Sequence, residues 1–202
     1  HSMSTLSVLI VSSPRGVRFI DVDSNSRFGW SLRGGFDANG DGIEDMIAGA
    51  PFSNSQNGRF NVIYGRANSG GSLAFSAQES VTQFTASQGM QFISTSTPLQ
   101  GGRLGSSVDV GDVNGDARVD FVVGAQTALP NGTQSGGVYT VFGTGANSAS
   151  FSREIYTVIN AGGGMILGGE ANGDLTGTVV SVPGDVDRDG IADIVAGSHG
   201  AG

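Results

Sequence analysis

The chain has 202 residues, of which 35 are Gly, 5 Pro and none Cys, and its 14 Asp and 4 Glu face 10 Arg and no Lys, for a net charge of −8. Gly at 17% without a G-X-Y period excludes collagen and points to many tight turns between short apolar runs. The lack of Cys excludes disulfide scaffolds, thiolate zinc sites and Cys nucleophiles; the lack of a basic run argues against nucleic acid, and no stretch of about 18 apolar residues is present to span a membrane.

In chain order, His1-Ser2-Met3 reads as an expression remnant and residues 4–202 as one unit. Residues 6–11 and 17–21 are predicted strands. Residues 28–32 are a third, followed by an acidic loop, Asp37-Ala-Asn39-Gly-Asp41-Gly-Ile43-Glu-Asp45, and by a short apolar run closing on Gly49-Ala50-Pro51. An alternating strand at 59–64 and another at 80–85 complete the pattern. It recurs with strands at 104–110, 121–125, 138–142 and 154–159 around the loop Asp112-Val-Asn114-Gly-Asp116-Ala-Arg118-Val-Asp120. It begins a third time with strands at 178–182 and 194–197 around Asp185-Val-Asp187-Arg-Asp189-Gly-Ile191-Ala-Asp193. The loops start 75 and 73 residues apart. Four short strands per repeat and no helical period predict an all-β chain of β-propeller blades. The blades fall around 28–85 and 104–159, with a third from 175–202 that lacks its last two strands. Residues 6–21 supply a matching pair, so one blade is expected to be split between the two ends of the sequence.

Calcium takes six to eight oxygen ligands, and carboxylates at positions 1, 3, 5 and 9 with a carbonyl at 7 can wrap one ion. The expected ligands are Asp37, Asn39, Asp41, Ile43 and Asp45 in the first loop. They are Asp112, Asn114, Asp116, Arg118 and Asp120 in the second, and Asp185, Asp187, Asp189, Ile191 and Asp193 in the third. About three Ca²⁺ per chain would move the formal charge from −8 to −2. An EF-hand needs an acidic residue at position 12 and a following helix, but position 12 holds Ala48, Val123 and Ala196 ahead of strands. Gly42 and Gly190 stand where the loop must turn sharply. Ala117 stands there in the second loop, which makes that site the weakest expected.

Phe28-Gly29 ahead of the first loop and Gly49-Ala50-Pro51 after it resemble the FG-GAP repeat of integrin α-subunit propellers and their bacterial relatives. The second copy keeps Leu104-Gly105 and Gly124-Ala125-Gln126; the third drifts to Leu175-Thr176 and Gly197-Ser198-His199. The resemblance implies a calcium-stabilised, extracellular or cell-surface, non-catalytic adhesion scaffold, with a protein or glycan partner on the face opposite the acidic loops. Family propellers typically have seven blades against three here. That difference suggests a homodimer whose two chains close a six-bladed ring by exchanging the surplus and missing strands; a three-chain, nine-bladed ring and a piece of a longer multi-bladed protein are the other ways to close it. A sugar-binding propeller and an accessory module of a secreted enzyme are the alternatives. Loops 53–57, 127–135, 87–102 and 160–174 should share the partner face, and Phe28, Trp30, Phe36, Phe60, Phe121 and Phe142 are expected in the core between blades. His199 is the single His outside the remnant, and no Ser-His-Asp set is visible.

Overall fold

A computed structural model describes residues 7–12, 15–67, 75–95 and 99–200 of the chain. The expected remnant 1–3 and the first residue of the first predicted strand, Leu6, lie outside them. The described strands are β1 (Ser7–Ser12), β2 (Arg15–Ile20), β3 (Leu32–Phe36), β4 (Asp45–Gly49), β5 (Arg59–Ile63), β6 (Gln78–Ser80) and β7 (Gly89–Ile93). They continue with β8 (Ser107–Gly111), β9 (Asp120–Ala125), β10 (Gly137–Val141), β11 (Ser152–Glu154), β12 (Gly164–Gly168), β13 (Val179–Gly184) and β14 (Asp193–Gly197). Among the described residues no helix is long and apolar enough to cross a membrane.

The chain is all-β; its first two FG-GAP-like repeats each build an antiparallel meander and the third, among the described residues, an antiparallel pair of strands. One sheet runs β11-β7-β5-β4-β3 and the next β12-β10-β9-β8; two smaller sheets are β1-β2-β6 and β13-β14. Strands β5, β9 and β10 are buried along their whole length: this explains the continuous apolar run of β9, and in the alternating β5 it buries Arg59 and Asn61 as well. The largest core lies between the first two meanders, where Phe60 stacks on Phe92 at 4.7 Å and both meet Phe121 at 6.4 Å. Sheets of this kind, packed face to face through short connections, are consistent with a propeller-type fold.

Adjacent meanders approach most closely at a pair of glycines. The carbonyl of Gly105 rests against the Cα of Gly49, and that of Gly177 against Gly124, so a Cβ on Gly49 or Gly124 would overlap backbone oxygen. Gly29, Gly105 and Gly177 turn this corner at φ of 87°, 90° and 83° and donate their N–H to Gly49, Gly124 and Gly197 in turn. The third copy of the Phe28-Gly29 pair is therefore Thr176-Gly177, not Leu175-Thr176. The corner also delays the first strand, because residues 28–31 are turn and β3 begins only at Leu32.

The fourth strands differ from expectation more. Residues 80–85 and 154–159 are not the outer strands. β6 is a three-residue strand followed by a 3₁₀ turn, Val81–Gln83, and β11 leads into a helical turn, Ile155–Val158, capped by the Glu154 carboxylate on the Thr157 N–H at 2.9 Å. The outer strands are β7 and β12, inside the segments expected to be loops. β6 and β11 instead pair in parallel with the outer strand of the preceding sheet, β2 and β7 respectively. Phe28, Phe36, Phe60 and Phe121 are buried as expected and Phe142 is half-buried, but Trp30 is half-exposed and belongs to no core cluster.

The hairpin β1–β2 repeats the geometry of β5–β7, with antiparallel pairing and a parallel third strand on the outer edge. It is linked to the first meander by an apolar cluster that Phe19 shares with Ala48, Ala50 and Ile63, and by an ion pair between Asp21, just past β2, and Arg59 of β5, both nearly buried. The remaining Asp21 oxygen accepts the Asp23 N–H at 3.0 Å, so the acidic stretch 21–26 is a strand end and turn.

Candidate metal centres

Each acidic loop joins the first strand of a meander to the second, as between β3 and β4, β8 and β9, and β13 and β14. All three loops have one hydrogen-bond skeleton. The position-1 carboxylate gathers the turn: Asp37 accepts from the N–H groups of Gly40 (2.8 Å), Asp41 (3.2 Å) and Gly42 (2.7 Å). Asp112 does so from Gly115, Asp116 and Ala117, and Asp185 from Asp189 and Gly190. The position-3 oxygens of Asn39, Asn114 and Asp187 accept from the residue two further on, and the position-5 carboxylates of Asp41, Asp116 and Asp189 accept from Ile43, Arg118 and Ile191. The side chains chosen from the spacing thus converge on one turn in every copy.

The position-9 carboxylate anchors the loop to the sheet. Asp45 accepts from Ala38 (2.8 Å) and from Gly65 (2.7 Å), two residues beyond β5. Asp120 accepts from Val113 and from Gly143, two residues beyond β10, both at 2.9 Å. Asp193 accepts from Val186 at 2.6 Å, and no second donor is present among the described residues. In the third loop ligand oxygens of Asp185, Asp187 and Asp193 lie within 4.8 Å of one another. The first two loops hold Asn at position 3, which leaves them one carboxylate fewer.

Electrostatics separates the two ends of each loop. Burial pushes the Asp45 carboxyl up to about 6 against the Gly65 and Ala38 donors, and the charges of Asp41 and Asp37 add to the rise. Burial likewise raises Asp120. Asp37 is held below the usual range, foremost by the Gly42 N–H; in Asp112 burial pulls upward but the N–H groups of Ala117, Gly115, Asp116 and Asn114 outweigh it. The donor set is hard oxygen throughout, with clustered negative charge, and it fits a divalent cation of the calcium type.

The turn at position 6 is left-handed in all copies, at φ of 79° for Gly42, 63° for Ala117 and 95° for Gly190. Ala117 therefore carries the strain expected from the sequence. The sequence reading missed Arg188, which adopts φ 68° at position 4, where the other loops have Gly40 and Gly115. Ala117→Gly is expected to stabilise the chain by about 1 kcal/mol, since relief of the left-handed strain exceeds the added unfolded-state entropy. A thermal melt should read this as a rise of about 3 °C.

The opposite end of the sheets carries the turns between second and third strands and the links between meanders. There Asn54 and Asn57 donate to the Ser94 carbonyl at 2.7 and 3.2 Å, and Thr127 to the Gly101 carbonyl at 2.7 Å. Beside them is an open recess of about 880 Å³, lined among others by Asp23, Asn25, Arg27, Trp30 and Phe52. The Arg27 guanidinium sits 4.1 Å from the Phe52 ring centre and 5.4 Å from that of Trp30.

The family model for the FG-GAP repeat matches residues 28–70 and 104–141, which contain the first two acidic loops. The chain is also similar to a phosphatidylinositol-glycan-specific phospholipase D of Dictyostelium discoideum, at 29% identity over 120 residues. That similarity covers 57% of this chain but only 12% of the phospholipase.

Proposed function

We propose that this chain, an FG-GAP repeat protein, is part of a calcium-stabilised extracellular β-propeller that serves as a binding or adhesion scaffold. Its blades are the meanders β3-β4-β5-β7 and β8-β9-β10-β12 and a third, split blade made of β13–β14 and a hairpin of the β1–β2 type. The observation that carries this reading is the threefold recurrence of one oxygen-rich loop with the same hydrogen-bond skeleton. Asp37, Asn39, Asp41 and Asp45, with the Ile43 carbonyl, would hold one Ca²⁺. Asp112, Asn114, Asp116 and Asp120, with the Arg118 carbonyl, would hold a second, and Asp185, Asp187, Asp189 and Asp193, with the Ile191 carbonyl, a third. The ions would neutralise carboxylates that otherwise repel one another, a structural rather than a catalytic task. No catalytic role is assigned to any residue.

The partner, a protein or a glycan, would meet the face opposite the loops. Trp30 and Phe52 with Arg27 favour a sugar-binding variant of this reading, since an exposed aromatic beside polar groups suits a sugar face. The phospholipase D similarity favours a second reading, an accessory propeller module of a secreted enzyme. Calorimetric titration of CaCl₂ into chelator-stripped protein should give three binding events per chain, and absence of binding heat together with an unchanged fold would remove the metal assignment. A glycan array read alongside Trp30 fluorescence separates sugar from protein recognition.

A further inference from the structure

Three features that are satisfied at both internal joints of the chain are left open at its flanks. The first is apolar packing. Ile47 of β4 shares a core with Val108 of β8, and Val122 of β9 shares one with Val180 of β13. All four are buried. The register of the meanders makes Val195 of β14 the third member of the Ile47–Val122 series and Leu32 of β3 the third member of the Val108–Val180 series. Val195 is 53% exposed and Leu32 49% exposed. Each lacks the partner that the other's counterparts have.

The second feature is the glycine contact. Gly49 and Gly124 are each filled by the carbonyl of the next corner glycine, Gly105 and Gly177. At Gly197 the corresponding slot holds no such carbonyl among the described residues: a Cβ there meets Val179 first, at 3.6 Å. The corner glycine on the Leu32 flank, equivalent to Gly105 and Gly177, is Gly29.

The third feature is the position-9 carboxylate. Asp45 and Asp120 each take a second N–H from two residues past a third strand, whereas among the described residues β14 has no third strand beside it and Asp193 has no such donor. The hairpin β1–β2 corresponds to a third and fourth strand: among the described residues no strand lies on the edge of β1 away from β2, and β14 is not on it.

We propose that a second copy of this chain fills these openings. The β1 edge of one copy joins the β14 edge of the other, Leu32 packs on Val195, the Gly29 carbonyl enters the Gly197 slot, and the third acidic loop is completed by the partner's hairpin. The contact is head to tail, and two identical joints close it about a two-fold axis. The proposal rests on the propeller reading for its geometry but not on calcium or on any ligand.

Light scattering after size exclusion tests it. The wild-type chain is expected at twice its mass of 20.4 kDa. Gly197→Ala is the diagnostic variant. Its added Cβ meets nothing closer than 3.6 Å among the described residues, and Gly197 is not in the left-handed region, so the variant keeps its own fold. The same Cβ would collide with the partner's carbonyl. It is expected to run at 20.4 kDa with an unchanged far-ultraviolet spectrum, or to dimerise at least a hundredfold more weakly. Leu32→Asp, on the other flank, should have the same effect. A wild-type mass of one chain across the micromolar range, a mass of three or more chains, or variants that dimerise as tightly as wild type would each overturn the proposal. Calcium titration does not enter this readout, so the metal assignment and the joint stand or fall separately.

Discussion

Adding EDTA is expected to lower the melting temperature of the chain by about 15–30 °C, and excess calcium to restore it. A ligand present at a hundredfold its dissociation constant and bound only to the folded state contributes about 2.7 kcal/mol per site. For a chain of this size 1 kcal/mol moves the melting temperature by about 2–4 °C. The loops provide the reason that the folded state alone binds: Asp45 and Asp120 are tied by backbone N–H groups on both sides, and Asp37 and Asp112 draw a whole turn around one carboxylate. An extended chain presents none of this. Magnesium at equal concentration should restore less, because it demands stricter octahedral geometry and gives up water reluctantly. A melt that does not move in excess chelator would show that the loops fold on their own hydrogen bonds and need no ion.

Asp21→Ala is expected to destabilise the chain by about 4 kcal/mol, a large loss for one side chain. Asp21 and Arg59 are nearly buried and face each other across the gap between the β1–β2 hairpin and the first meander. Removal of the carboxylate strands a guanidinium whose Nε already has no hydrogen-bond partner. Such an uncompensated buried charge accounts for most of the cost, more than the lost attraction. The control is the double variant Asp21→Ala with Arg59→Met. It removes both charges and should recover most of the stability in a urea melt. If the single variant unfolds at the wild-type midpoint, the pair does not hold the hairpin.

The acidic loops and the second and third strands of the first two meanders were legible because their signals are local. Three Asp at fixed spacing, a left-handed turn at position 6 and a buried apolar run can all be read from one short window. The outer strands were not. Residues 80–85 and 154–159 are rich in Val, Thr, Ile, Phe and Tyr and read as strand, whereas β7 and β12 begin on Gly89 and Gly164 and look like loop. Those glycines are strand residues for a tertiary reason: a Cβ on either would overlap the carbonyl oxygen of Val62 or Thr140 on the neighbouring strand. The third corner was misplaced by one residue for a related reason. Thr176 replaces the aromatic, and the feature that marks the position is the φ of Gly177, which no composition reveals. Trp30 was assigned to the core on residue type alone. Its true surroundings depend on which flank of the sheet is covered.

The short parallel strands have a consequence for how the molecule comes apart. β6 fastens the edge of β2 and β11 fastens the edge of β7, so each outer strand is latched by residues that belong to the following meander. A latch of this kind couples neighbours: β7 cannot fray without first releasing Ser152–Glu154. β12 has no latch among the described residues, and Leu167 on it is exposed. Opening therefore starts at Gly164–Gly168 and runs backward along the chain. The amides of β12 trade their protons with solvent sooner than those of β7, although the two strands hold the same place in their sheets.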